Sequence, residues 1–248
     1  MTQSGHCGRA VNDPLRCPFI SVGSGNETAR LKMFYEPRKR NHGLPHDPYN
    51  AIVGPRPIGW ITSINSKGEL NLAPYSFFNS VSTDPPIVMF ASDGRKDTIE
   101  FVEETGEFVC NLAVWDLRQQ VKDTSWTYPR GSNEMEAVGL EPAASVLVKP
   151  PRVKASPCAL ECRWLQTVRL KDVDGKPAPR FIAFGQVIGI HIDEHFIKNG
   201  LLDTAAMKPI ARAGYQEYFV TTEDARFLVD FSHSVRANAH KRAKEVDE

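Results

Sequence analysis

Neither sign of charge dominates this 248-residue chain, in which Lys and Arg number 30 and Asp and Glu also number 30. Net charge therefore points to no nucleic acid and no anionic membrane, and no basic run is interleaved with aromatics. No apolar run approaches the ~18 residues of a membrane span. No secretory leader of charged, apolar and small-residue regions is visible. The cysteines are five, Cys7, Cys17, Cys110, Cys158 and Cys162, an odd number in a long chain. A disulfide framework is not expected, and a cytoplasmic setting is. Cys158 and Cys162 have no second pair of Cys or His to complete a metal site. On a strand they would share a face too far apart to bridge easily, and they read as small apolar strand residues. Also missing are a Rossmann-type GxGxxG, a carboxylate dyad and a nucleophile–His arrangement.

What is present is enough apolar residue, 41%, for one domain of barrel or sandwich type. Residues 1–32 carry two acids, Asp13 and Glu27, scattered Gly, Ser and Asn, and no sustained periodicity. Gly5, Gly8, Pro14, Pro18, Gly23 and Gly25 work against the amphipathic helix of a transit peptide. This stretch is expected to be disordered or to lie upstream of the true start. A compact domain is expected over 33–235, followed by a charged, solvated tail over 236–248.

Between the tails the pattern is mostly strand. "IGWITSIN", the turn "SKGE" and "LNLAPYS" read as a hairpin with Gly68 in the tight position. "PIVMFAS" reads as a strand. "KDTIEFVEETGEF" switches to helical spacing, with Asp97 and Glu100 in capping-box positions and Gly106 as the stop. "EFVCNLAV" returns to strand and "WDLRQQVKDTSW" reads as a short helix. A long loop is expected over 128–142. Two long strands, "ALECRWLQTVRL" and "RFIAFGQVIGIHI", flank the turn "DVDGKPAP", and a helix is expected in "EHFIKNGLLDTAAM". Many strands, few short helices and hairpin connections predict a mainly β, antiparallel barrel.

Three stretches are candidates for chemistry. In "GPRPIGWITS", Pro57 suits a strand's first residue, and Gly59 weakens a strand unless something approaches its backbone closely. A plain edge strand with a barrel-corner glycine explains it equally well. Around Ser76–Asn79, the hydroxyl and amide groups of Ser76, Asn79, Ser80 and Ser82 with the rings of Tyr75, Phe77 and Phe78 make an irregular turn that could hydrogen-bond the edge of a planar heterocycle and pack on its face. Ser and Asn are also ordinary loop residues. In "GRKDT", the helix start offers free N–H groups, the Lys96 charge and the Thr98 hydroxyl, a seat for phosphate. The plain alternative is that Asp97 only caps the helix and Lys96 sits in water.

Taken together and in this order, the stretches resemble the flavin reductase-like proteins of the FMN-binding split-barrel superfamily, flavoredoxin-like members included. The resemblance rests on "RPIGWITSINSKGELNLAPYSFFNSVSTDPPIVMF", "RKDT", "TGEFVCNL", "GQVIGIHID" and "PIARAGYQEY", and covers roughly residues 49–220. It implies an antiparallel split β-barrel. It implies a flavin site lined by Arg56, Pro57, Ile58, Gly59, Trp60, Thr62 and Ser63, with ring and ribityl contacts from Ser76, Phe77, Phe78 and Asn79. Lys96, Asp97 and Thr98 would hold the phosphate. Tyr215 and His191 would face the ring or a nicotinamide; the plain alternatives are a hydrogen-bonded strand histidine for His191 and a packing residue for Tyr215. Trp126, Tyr128 and Arg130 lie in a candidate lid. The resemblance further implies a homodimer with FMN near the subunit interface, NAD(P)H as hydride donor, and an electron-accepting partner such as a monooxygenase. A flavoredoxin-type electron carrier that never meets NAD(P)H is the alternative. An oxidase acting on an organic substrate comes last.

Overall fold

The computed structural model describes residues 33–229; the expectations for 1–32 and 236–248, with Cys7 and Cys17, lie outside the described residues. Residues 33–43 form a short unit of their own. Its turn is closed by the Lys39 and Arg40 amides on the Glu36 carbonyl, and the Tyr35 and His42 rings meet edge to face at 5.2 Å.

From Leu44 onward the chain forms a second unit. It opens with α1 (Tyr49–Ile52), β1 (Arg56–Pro57), β2 (Gly59–Ile64), β3 (Leu70–Tyr75), β4 (Phe78–Thr83), β5 (Pro86–Asp93), α2 (Asp97–Thr105) and β6 (Glu107–Leu112). After a 3-10 turn at Trp115–Leu117 come α3 (Arg118–Asp123), α4 (Glu134–Ala137), β7 (Pro142–Ala143) and β8 (Arg152–Val153). The long strands β9 (Cys158–Lys171) and β10 (Pro177–Ile192) follow, then β11 (Ile197–Lys198), β12 (Leu201–Leu202), β13 (Ile210–Arg212) and β14 (Tyr218–Val220).

Seven strands form one antiparallel sheet in the order β3-β2-β6-β9-β10-β5-β4. Its two edge strands, β3 and β4, are consecutive in sequence and joined only by Ser76 and Phe77. A two-residue link spans under ~10 Å, so the edges must come together and the sheet must curl into a barrel. The seam at Ser76–Phe77 is its split, and there the Ala91 N–H donates to the Phe77 carbonyl at 2.8 Å.

Two cores result. Inside the barrel, Ile61, Tyr75, Phe90, Phe108 and Cys162 pack against Ile99 and Val102 of α2. Outside it, Trp60, Leu72, Val121, Met135, Met207 and Ile210 fill the layer between β2, β3 and the short helices. Strand β2 is thus covered on both faces, and Gly59 to Ser63 are all buried.

The β2–β3 hairpin with Gly68 at positive φ, the short helix at α3 and the αL stop of α2 at Gly106 match the expectations. Four details differ. No capping box forms on α2: its N-cap is Lys96, without a side-chain bond, and Glu100 instead pairs with Arg130 at 2.7 Å. The expected loop over 128–142 contains α4, whose N-cap Asn133 accepts from the Glu136 amide. The irregular turn expected at Ser76–Asn79 shrinks to Ser76 and Phe77, because Phe78 onward pairs with β5. The helix expected in "EHFIKNGLLDTAAM" is a 3-10 turn followed by the β11–β12 hairpin. Asn199 and Gly200, both at positive φ, form its two-residue turn, the geometry that favours Asn-Gly in hairpins.

Candidate functional site

A cavity of about 360 Å³ opens along the free edge of β3, between the start of α2 and the segment Thr124–Arg130. Alternation along β3 turns Asn71, Ala73 and Tyr75 to one side, and all three line the cavity. At its other wall no side chain caps α2, so the first-turn N–H groups point outward unpaired by the helix, at its electropositive end. Exposed Lys96 adds a full positive charge beside them.

Buried hydrogen bonds hold the walls. Asn71 Nδ2 donates to Thr98 Oγ1 at 2.7 Å, tying β3 to the first turn of α2. As an edge strand, β3 has N–H groups without a strand partner, and the Leu72 N–H donates to Glu134 Oε2 at 3.0 Å. Burial pushes the Glu134 carboxyl up, against the pull of that amide, while nearby Asp97 adds to the rise. Burial likewise raises the Tyr75 phenol, which lies beside the Thr98 and Ser92 hydroxyls. The segment above starts from a fixed point, with Trp60 Nε1 donating to Thr124 Oγ1 at 2.9 Å. Beyond it Trp126 is 67% exposed, and Arg130 lies 3.9 Å from Asp97.

Of the residues singled out in the sequence, the cavity brings together Lys96, Asp97 and Thr98 with Trp126, Tyr128 and Arg130. The others sit elsewhere. Arg56 is buried, donating to the carbonyls of Asn50 at 2.6 Å, Ala213 at 3.1 Å and Val53. Burial and the charge of Arg212 lower its pKa. Pro57 is exposed beside it, and Ile58 and Trp60 are in the outer core. Thr62 accepts from Asn111 Nδ2 at 2.8 Å, and buried Ser63 lies 3.5 Å from Asn71 Nδ2. At Gly59 the close neighbour is the protein itself: an added Cβ would lie 2.4 Å from Phe78 Cδ2. Ser76 and Phe77 form the barrel seam, where the Phe77 ring lies between the guanidinium groups of Arg56 and Arg180, at 5.4 and 5.5 Å. Asn79 is exposed on β4. Tyr215, half exposed, packs on the His46 ring at 5.8 Å. His191 Nε2 sits 2.5 Å from Glu161 Oε1 and lines a different cavity.

Residues 54–209 match the sequence profile of the flavin reductase like domain. The chain belongs to that family. An uncharacterized protein of Aquifex aeolicus is 34% identical over 174 residues, which are 68% of this chain and 85% of the relative. Among solved structures, nitrilotriacetate monooxygenase component B from Bacillus cereus superposes with a TM-score of 0.72 at 28% identity, covering 81% of this chain and all of its own. The 2-nitrobenzoate 2-nitroreductase of Pseudomonas fluorescens gives a TM-score of 0.66 at 30% identity, over 74% of this chain and 89% of its own. The flavoredoxin of Desulfovibrio vulgaris, at 17% identity and a TM-score of 0.62, shares the split-barrel fold.

Sequence reasoning singled out Tyr75 as ring surface but missed Asn71, Ala73, Thr124 and Glu134 as cavity residues. The period-2 pattern of "NLAPY" held the signal for Asn71 and Ala73, since every second residue of a strand shares a face. For Thr124 and Glu134 no local signal exists, because their partners lie 64 and 62 residues away.

Proposed function

We propose that this chain is an FMN-binding flavin reductase, and that the cavity beside β3 is its flavin site. The observation that carries the reading is the joining, in one cavity, of an uncapped helix start, the Lys96 charge and an aromatic wall of Tyr75, Trp126 and Tyr128. The donor set fits a phosphorylated, planar ligand. The Lys96 ammonium and the first-turn amides of α2 suit a phosphate, and the strand edge at Ala73–Tyr75 with the aromatic rings suits a heterocycle. Bound there, FMN would supply the redox chemistry, taking a hydride from NAD(P)H and passing electrons to an acceptor. The residues position and shield. Thr98 is locked by Asn71, and the 124–130 segment, anchored on Trp60, limits water at the ring. The likeness to a monooxygenase component B supports a separate monooxygenase as the acceptor.

We also propose a homodimer. On the outward face of the sheet, register places Val168 and Leu170 of β9 beside Ile182 and Phe184 of β10 and Met89 of β5. All five are exposed or half-buried. An apolar sheet face of this kind is the surface a symmetric partner would cover, and Phe77 at the barrel seam lies at its border.

The test is titration of the purified protein with FMN, followed by stopped-flow mixing with NADH or NADPH. A shifted flavin absorption band and rapid bleaching by either nucleotide are expected. Absence of FMN binding overturns the site. Binding with bleaching only by a partner protein makes the chain an electron carrier instead.

A further inference from the structure

A third cavity, of about 370 Å³, lies along α3 and is lined by Trp115, Arg118, Lys122, Ile210, Tyr218 and Phe219 among others. Its chemistry is unusual for the outside of a soluble fold. Trp115, Tyr218 and Phe219 are 43%, 46% and 57% exposed, and three large rings on one groove expose more flat apolar surface than a solvated wall needs. Cations accompany two of the rings. The Arg118 guanidinium lies 4.1 Å from the Trp115 ring centre, and that of Arg212 lies 4.7 Å from the Tyr218 ring centre. Arg118 is held in place by donation to the Trp115 carbonyl at 2.8 Å. Two cations and no carboxylate are among the groove's lining residues. Flat rings offer stacking, and the guanidinium and ammonium groups offer phosphate contacts. The matching ligand class is a planar base carrying phosphate, that is, a nucleotide.

We propose that this groove takes the adenosine-phosphate half of the nicotinamide hydride donor. The proposal rests on the flavin reductase reading. One structural link supports it: the 3-10 turn and α3 run from Trp115 at the groove to Asp123, and Thr124 then opens the segment over the candidate flavin cavity. At 1.5–2 Å of rise per residue that path is roughly 15 Å long, a span an extended dinucleotide covers. The nicotinamide end would then reach the flavin cavity while the adenine stays on the aromatic rings. Arg118 and Lys122 would hold the phosphates between them.

The test uses ADP-ribose and its 2′-phosphate as probes on the FMN-loaded protein. Competitive inhibition against NADH or NADPH is expected, with quenching of tryptophan fluorescence that Trp115→Ala abolishes. Arg118→Glu, and independently Lys122→Glu, should weaken the probe by about tenfold, or ~1.4 kcal/mol, while FMN affinity stays within about twofold of the parent. A protein that oxidises NAD(P)H but is not inhibited by either probe overturns this inference and leaves the flavin reductase reading standing, as does inhibition unchanged in all three variants. A protein that binds FMN and oxidises neither nucleotide overturns the reading on which it rests.

Discussion

Gly59 illustrates how a single atom decides a neighbourhood. Its missing side chain admits the Phe78 ring, and an added Cβ would come within 2.4 Å of it. Phe78 is itself packed against the barrel core, so it has little room to retreat. Gly59→Ala is expected to destabilise by about 1–3 kcal/mol, the range for overpacking a close-packed core, read as a lower midpoint in urea unfolding. Lys96 is the opposite case, an exposed residue whose worth lies in its ligand. Lys96→Ala should leave the unfolding midpoint in place and weaken FMN by about tenfold, the loss of one charge-assisted contact. Riboflavin, which lacks the phosphate, should bind both proteins equally; a parallel loss of riboflavin affinity would move Lys96 away from the phosphate end.

The segment Val146–Lys149 shows what an element can owe to distant side chains. Its four consecutive N–H groups donate to two carboxylates, those of Val146, Leu147 and Val148 to Glu161 at 2.6–3.1 Å and that of Lys149 to Glu107 at 2.8 Å. Glu161 is fully buried on β9. Burial pushes its carboxyl up, but the His191 imidazole and the amides of Val146 and Leu147 outweigh that and hold it below the usual range. A depressed carboxyl stabilises the fold above its unfolded pKa, and that contribution is lost as pH falls through the lower folded value. Glu161→Gln should therefore cost about 1–3 kcal/mol near neutrality and flatten the acid limb of the stability profile. Hydrogen exchange should quicken at Val146–Val148 more than at Lys149, which keeps Glu107. Equal exchange across all four amides would refute this division.

At the scale of the molecule, the barrel closes because β3 and β4 are chain neighbours at opposite sheet edges, and closure leaves the β9–β10–β5 face apolar and outward. Val168, 39% exposed there, is a position where a charge disturbs no core. Val168→Glu is expected to shift sedimentation from dimer to monomer with the far-UV spectrum unchanged. A parent protein that sediments as a monomer at micromolar concentration would remove the dimer from the proposal.

The strand-rich character, the hairpin at Gly68, the stop of α2 at Gly106 and the helix start at Lys96–Thr98 were legible from sequence, because each depends on residues within a few positions of one another. Strand alternation, a left-handed glycine and a charge beside a helix start are local physics. What β2 does was not legible: its polar and aromatic residues read as a ligand wall, yet layers built from residues up to about position 210 cover both of its faces. Nor could sequence place Trp126 over the edge of β3 or give Glu161 the amides of a loop 13 to 15 residues away. Those outcomes were decided by tertiary structure, since burial and hydrogen-bond partnership are settled by which distant segments arrive, and the closing of the barrel chooses them.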